Sequence, residues 1–305
     1  MIEPIKPMLA APPKGEKLEQ LQGLYACDLK LDGLRAIAYW DGSTLKILNR
    51  SMRDVTAQYP DLEGTALRLG DVPVVLDGEI VATSGSFQDV AMRGKQNKPA
   101  DIARAMKMAP VHFVAFDVLH LDGNDIRPQP WFDRRMILDG LAALWGDGEL
   151  KPWTTSPWSM DLVTFAAAVR EQGMEGIIAK RLRSTYRSGR FSDWVKMKNV
   201  HSITCVAVGY EPGEGARTHF GAMLLALVGP DGPVPIGRVG TGFTNREIDD
   251  LKHDLDKGVM PVVEIEVLNV TRDGNLRMPS YKGRRDPELS YMDARLSQLD
   301  DIPRS

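Results

Sequence analysis

Lys30, in the run Lys30-Leu31-Asp32-Gly33-Leu34-Arg35, is an amine set in an otherwise apolar, strand-like stretch from Gly23 to Trp40. Strand alternation puts Lys30 and Asp32 on the same side, with Gly33 as a turn. An amine beside a carboxylate adds nothing to a core. Kept partly from water among other cations, however, a lysine offers a neutral amine, and a neutral amine is a nucleophile. Four residues of this kind also arise by chance, so their meaning rests on what accompanies them.

What accompanies them is a series of charged groups on strand-like segments. Arg50 closes the stretch Leu48-Asn49-Arg50-Ser51, and Asp77-Gly78-Glu79-Ile80 sets two acids in an apolar run. Phe116-Asp117-Val118-Leu119 places an aromatic at the end of another strand. Glu175-Gly176-Ile177-Ile178-Ala179-Lys180 begins with an acid and ends with a base. In Trp194-Val195-Lys196-Met197-Lys198 the alternation turns both lysines to one side. Charges cost several kcal/mol each to bury unpaired. Six segments aiming charge at one face therefore call for a polyanion and a metal ion to balance them. Cationic donors, a hard ion and close positioning are what a phosphoryl transition state needs.

The elements that must position these groups read as a mixture. Strand patterns fall at 23–40, 44–50, 72–82, 111–121, 175–182 and 193–199, with helical patterns at 100–108, 131–145 and 160–173. Strands outnumber helices and several should pair antiparallel, which favours α+β over a doubly wound parallel sheet. From about residue 201 the texture changes to three short strands separated by Gly/Pro turns, then a helix, then one or two strands. Thr244 and Glu247 have the form of a capping box, and Gly258 is a fitting stop. That order is expected of a small five-stranded barrel of the oligonucleotide-binding (OB) kind. The chain thus divides into residues 1–200 and 201–305, with a hinge near 199–203.

Composition sets bounds on these readings. The 305 residues are 43% hydrophobic and 26% charged, with no run near the roughly 20 apolar residues of a membrane-spanning helix. The start of the chain lacks the form of a secretory signal, so a cytoplasmic protein is expected. Cys27 and Cys205 have no metal-ligand spacing and are expected to be buried as small apolar side chains. The five histidines show no metal-ligand spacing either. A net charge of −3 does not suggest a nucleic-acid binder. Its distribution does: residues 180–198 carry Lys180, Arg181, Arg183, Arg187, Arg190, Lys196 and Lys198 against Asp193 alone. A basic face on an acidic body can follow a phosphate backbone.

Taken in order, these motifs resemble those of the nucleotidyltransferase superfamily, and above all the ATP-dependent DNA ligases of small bacterial and phage type and the ligase modules of bacterial end-joining proteins. The resemblance runs from Pro7-Met8-Leu9-Ala10 to the segment around Arg285. It implies a nucleotidyltransferase (adenylation) domain of antiparallel sheets and helices followed by an OB-fold barrel with one helix. It further implies that Lys30 attacks the α-phosphate of ATP to form a lysyl-AMP. Asp28 and the backbone around Leu29 would meet the adenine edge, and Phe116 would stack on the base. Arg35 and Arg50 would contact the ribose side and later the 5′-phosphate of the nick. Glu79 would hold the ribose hydroxyl or help bind a divalent ion, and Glu175 would be the main carboxylate for Mg²⁺ or Mn²⁺, a hard ion that suits carboxylates and phosphates. Lys196 and Lys198 would stabilise the α-phosphate, and Arg285 would belong to a clamp over ATP.

Nicked double-stranded DNA is the implied partner of a monomeric enzyme, gripped by Arg181, Arg183, Arg187 and Arg190 together with Arg35 and Arg50. Phe87 and Arg93 are further candidates for substrate contact. The clamp departs from the family pattern Arg-x-Asp-Lys: Arg284-Arg285-Asp286 supplies three places, but Pro287 stands where a lysine belongs, leaving Lys282 as a substitute. Three rivals share the pattern. They are an RNA ligase, a GTP-dependent mRNA-capping guanylyltransferase, and a non-catalytic binder that keeps the scaffold. A binder has no use for a buried nucleophile.

Overall fold

The computed structural model describes residues 2–145, 152–213, 220–271, 273–285 and 291–304. The chain forms two compact units, Met1–Lys198 and Asn199–Ser305. In the first, eleven strands are described: β1 (Met8–Ala11), β2 (Tyr25–Leu29), β3 (Leu34–Trp40), β4 (Leu45–Asn49), β5 (Val74–Ala82), β6 (Val111–Leu121), β7 (Asn124–Asp125), β8 (Trp153–Thr155), β9 (Trp158–Ser159), β10 (Gly176–Arg181) and β11 (Gly189–Lys198). One sheet has the order β1-β11-β10-β2-β9, the other β4-β3-β5-β6-β7 with β8 alongside β6. Pairing is antiparallel except for β1 with β11 and β6 with β8. The unit is thus mixed α and β, with mostly antiparallel sheets.

Strand alternation decides what each sheet face carries. In the first sheet Cys27, Leu29, Ile177, Ala179, Val195 and Met197 pack with helix Leu162–Glu171. The alternate residues, Ala26, Ile178 and Trp194, join Ile37, Val75, Phe116 and Leu119 of the second sheet in a core between the two sheets. The other face of the second sheet, with Ala36, Ala38, Leu76 and Ile80, packs on Tyr59, Leu62 and Val90.

The apolar stretch 23–40 is two strands rather than one, with residues 30–33 as the connection. Gly33 explains the break. A Cβ there would lie 2.3 Å from the Ile80 carbonyl oxygen and 2.8 Å from Glu79 Cγ, so only glycine lets this turn press against β5. Gly78 is as constrained, since a Cβ would meet the Phe113 ring at 2.4 Å. Helix Phe87–Arg93, which has no counterpart among the sequence expectations, is capped by Ser86 Oγ accepting from the Asp89 N–H.

The second unit holds a five-stranded antiparallel sheet in the order β14-β13-β12-β15-β18, made of β12 (His201–Glu211), β13 (Ala222–Gly229), β14 (Gly232–Val239), β15 (Val262–Val267) and β18 (Ser280–Arg284); β16 (Asn269–Val270) pairs with β17 (Leu276–Arg277). Helix Asn245–Asp256 starts in the expected capping box: Glu247 N–H donates to Thr244 Oγ1, and Thr244 N–H donates to Glu247 Oε2 at 2.7 Å. Its Ile248 and Leu251 are buried in the core of this unit. Among the described residues no helix is long and apolar enough to cross a membrane.

Candidate active site

Lys30 stands where β2 ends, with its N–H bonded to the Gly176 carbonyl at 2.8 Å. That bond seats it beside Glu175, the residue before β10. Lys30 Nζ lies 2.6 Å from Glu175 Oε2, and Lys198 Nζ lies 3.3 Å from Glu175 Oε1. The carboxylate is nearly sealed, while the two lysine side chains keep 19% and 24% of their surface. One carboxylate thus orders two ammonium groups that keep part of their surface exposed. Register places Lys198 opposite Gly176 and Lys196 opposite Ile178, so both lysines share the face of Ile178 and Asp28. Partial burial holds the Lys196 ammonium below its usual range, and the cations of Lys198, Arg190 and Lys30 add to this.

Across from this cluster the second sheet contributes Glu79, Asp77 and Arg35; register sets Arg35 opposite Glu79. Burial pushes the Glu79 carboxyl up to about 7, with Asp77 and Glu175 adding to the rise and Arg35 and Lys30 opposing it. Glu79 thus feels the charge of Glu175, and two such carboxylates fit a hard divalent ion that takes its other ligands from phosphate and water. Among the described residues no group of three or more His, Cys, Asp or Glu is placed to hold a metal ion alone.

The packing gives several of the expected site residues partners within the protein. Arg35 ties β3 to β5 and β1: Nε and Nη2 grip Asp77 at 2.6 and 2.7 Å, and Nη2 also reaches the Met8 carbonyl at 3.1 Å. Asp77 further accepts from the Tyr186 hydroxyl at 2.6 Å, which in turn accepts from the Met8 N–H at 2.9 Å. The Arg35 side chain keeps 19% of its surface exposed. Phe116 is buried and carries the Arg35 guanidinium 4.3 Å from its ring centre and the Lys180 ammonium at 4.5 Å. It lies in the same core as the half-buried Ile178, so the two form an apolar wall between the sheets. The Leu29 side chain faces the helix, and its N–H is taken by the Pro157 carbonyl at 3.2 Å.

Lys180, grouped by sequence with the basic face, is buried instead. Its ammonium pairs with Asp28, donates to the Phe116 carbonyl at 3.2 Å, and is ringed by Phe116, Trp131 and Trp194. Burial raises the Asp28 carboxyl and lowers the Lys180 ammonium, each opposed by the other's charge. Arg93 is fully buried, with Asp61 bound in two bonds of 2.9 and 2.8 Å.

Beside Gly33 lies a cavity of about 470 Å³ whose lining includes Arg50, Ser51, Gln58, Glu79, Phe87 and Lys95. Arg50 and Phe87 thus belong to one recess that shares Glu79 with the Lys30 cluster. Arg181, Arg183, Arg187 and Arg190 are all exposed. Arg181 and Arg187 both turn to Asp193, Arg187 also covers Phe191 at 4.1 Å, and Arg190 donates to the Ala10 carbonyl. In the second unit Arg285 pairs with Glu264 at 3.4 Å, and Lys282 with Glu266 at 2.8 Å. Asp286 and Pro287 lie outside the described residues.

Asp77 as a partner of Arg35, and Tyr186 as a partner of Asp77, are not among the sequence expectations. An acid and a base in buried strands invite pairing, but their partners lie 42 and 109 residues apart in the chain and nothing local pairs them. A family description, ATP dependent DNA ligase domain, matches residues 7–198. The chain is 35% identical over 311 residues to the multifunctional non-homologous end joining protein LigD of Mycolicibacterium smegmatis, a match that covers 93% of this chain and 38% of that protein. It is 33% identical over 266 residues to a DNA ligase of Natronomonas pharaonis, covering 84% of this chain and 47% of that one. The crystal structure of the ligase domain from M. tuberculosis LigD is similar at a TM-score of 0.54 and 30% identity, over 94% of this chain and 97% of that one.

Proposed function

Because the chain belongs to the ATP dependent DNA ligase domain family, we infer that it joins DNA ends through AMP carried on Lys30. The observation that carries this reading is the junction of Lys30, Glu175 and Lys198, groups distant in sequence that converge on one carboxylate within the matched region. Lys30 Nζ attacks the α-phosphorus of ATP, forming a P–N bond as the bond to pyrophosphate breaks. The proton lost by the amine passes toward Glu175, the acceptor 2.6 Å away. Lys198 and Lys196 offer positive charge where the phosphoryl oxygens gain it. AMP then moves to the 5′-phosphate of a nick, freeing the amine, and the 3′-hydroxyl displaces AMP to close the backbone.

Glu79 and Glu175 are the residues that would hold Mg²⁺ or Mn²⁺, which supplies charge neutralisation at phosphate. The recess beside Gly33, with the exposed Arg50 and Lys95 and the ring of Phe87, is of a size to take a strand end next to Glu79. We read the second unit as an OB-type barrel on the strength of its strand order and capped helix, and Arg285 as part of a clamp acting in the adenylation step. The substrate is nicked duplex DNA bound by a monomer. A broken duplex is a further substrate in line with the end-joining name of the mycobacterial relative.

Incubation with α-labelled ATP and Mg²⁺ should yield an acid-labile, base-stable adduct that Lys30→Ala abolishes. Labelling that survives Lys30→Ala, or that prefers GTP, would overturn the reading. Faster sealing of a nick with an RNA 5′-phosphate strand would favour an RNA ligase.

A further inference from the structure

The second unit has its own set of opposed charges, on the side of its sheet that faces away from the core. In β15 the residues Val263, Ile265 and Val267 point inward, so alternation turns Glu264 and Glu266 outward beside β18. Each meets a cation of the β18 segment. Lys282 Nζ lies 2.8 Å from Glu266 Oε2, and Arg285 Nη1 lies 3.4 Å from Glu264 Oε2. Ser202 orients Glu264, its hydroxyl donating to the other carboxylate oxygen. Arg284 turns instead to Asp254 of helix Asn245–Asp256, at 2.7 Å. Lys282, Arg284 and Arg285 thus each face a carboxylate of their own unit.

The fold has little need of these pairs. β15 and β18 are already joined by an antiparallel backbone ladder, and the Arg285 N–H donates to the Val262 carbonyl at 3.0 Å. The cations are open to water, with 44% of the Lys282 and 37% of the Arg285 side chain exposed. Exposed pairs of this kind contribute little to folding. The Arg285 pair is also incomplete, since its Nε is buried with no hydrogen-bond partner among the described residues. A guanidinium fully engaged by a carboxylate uses two parallel N–H donors. Arg285 is held, then, but not satisfied.

We propose that Glu264 and Glu266 form a carboxylate latch that competes with the polyphosphate of ATP, and with departing pyrophosphate, for Arg285 and Lys282. The proposal rests on the ligase reading given above, with Arg285 in a clamp on ATP and Lys282 standing in for the lysine absent at Pro287. A polyphosphate brings several charges and acceptor oxygens against one carboxylate per cation, so it wins the exchange while it is bound. Once pyrophosphate has left, the carboxylates recapture both cations. The latch therefore weakens ATP binding and hastens release of pyrophosphate. Later steps, which involve neither, are left as they are.

The test measures self-adenylation of the full chain over a series of ATP concentrations, with inhibition by pyrophosphate alongside at a fixed ratio of ATP to KM. We expect KM for ATP to fall about 3-fold in Glu264→Gln and in Glu266→Gln, and about 5- to 10-fold in the double variant. The pyrophosphate concentration that halves labelling should fall by a similar factor, while sealing of a pre-adenylated nick holds within about 2-fold. Glu264→Asp, which keeps the charge on a shorter arm, should lie between the wild type and Glu264→Gln. Lys282→Ala should raise KM, and in that background Glu266→Gln should have no further effect; this separates a direct pair from a general loss of negative charge. An unchanged KM in the double variant, or a Glu266→Gln effect that persists beside Lys282→Ala, would overturn the latch. Wild-type protein that takes no label from any nucleotide would overturn the ligase reading and the latch with it.

Discussion

Two sets of charge face each other across the core of the first unit, and they differ in how completely they are satisfied. Asp77 is fully sealed, yet it accepts two bonds from Arg35 and one from Tyr186, whose oxygen also accepts from the Met8 backbone. Glu175 is nearly as sealed but divides its two oxygens between Lys30 and Lys198, whose ammonium groups stay partly open. The first set ties β1, β3, β5 and the Tyr186 segment together. On the proposed reading the second holds reactive groups in place while keeping part of their surface exposed.

Breaking each set should expose the difference. Glu175→Gln keeps the size of the side chain but can no longer order two ammonium groups, and self-adenylation should fall on the order of 10³-fold. Its thermal midpoint should stay near that of the wild type, read by calorimetry beside the labelling assay. Asp77→Ala should do the reverse. It strands the Arg35 guanidinium in a buried site, and removing one partner of such a pair costs about 3–5 kcal/mol. Urea unfolding would show that loss. An Asp77→Ala protein as stable as the wild type would mean that the web is decoration.

The same contrast explains what was legible in the sequence. Lys30, Glu79, Glu175, Lys196 and Lys198 stand out because charge interrupts a period-2 apolar pattern, and their strands appear near the expected positions. Arg35 interrupts the pattern in the same way, so sequence alone assigned it to substrate. Whether a buried charge is neutralised by protein or left for a ligand depends on partners such as Asp77, which only the folded sheet brings into register. Lys180 departs from the expected basic face: it follows an apolar strand and precedes basic residues, but its β10 register turns it inward to Asp28. The break of 23–40 at Gly33 was visible as a turn, while the close approach of β5 that requires glycine was not.

Glu79 lies between the two classes, and pH can place it. Held near 7 in the folded protein against about 4.5 unfolded, its carboxyl binds more protons in the folded state between those values. Folding is therefore favoured below about 4.5, and that advantage is lost as pH rises through 7. In metal-free buffer Glu79→Gln, which mimics the protonated form, should match the wild type at acid pH. It should be more stable by about 2 kcal/mol at pH 8, a figure reduced for the side chain's partial exposure. A constant gap at both pH values would mean that Glu79 does not titrate in this window, placing it with the satisfied charges.

The smallest effect is expected at the surface, where charge is neither saturated nor sealed. Arg187 pairs with Asp193 and covers Phe191, but half of its side chain is open to water. Exposed pairs contribute little to folding, so Arg187→Ala should leave the thermal midpoint in place, unlike Asp77→Ala. Should Arg187 meet a phosphate, its loss should instead lower the slope of log affinity for nicked duplex against log salt by about 1, with little dependence on sequence. That outcome would add a third class to the comparison: charge held loosely by protein so that DNA can take it over. A salt slope identical to the wild type would assign Arg187 to its ion pair with Asp193 alone and move the DNA contact to Arg181, Arg183 or Arg190, where the same measurement can be repeated one residue at a time.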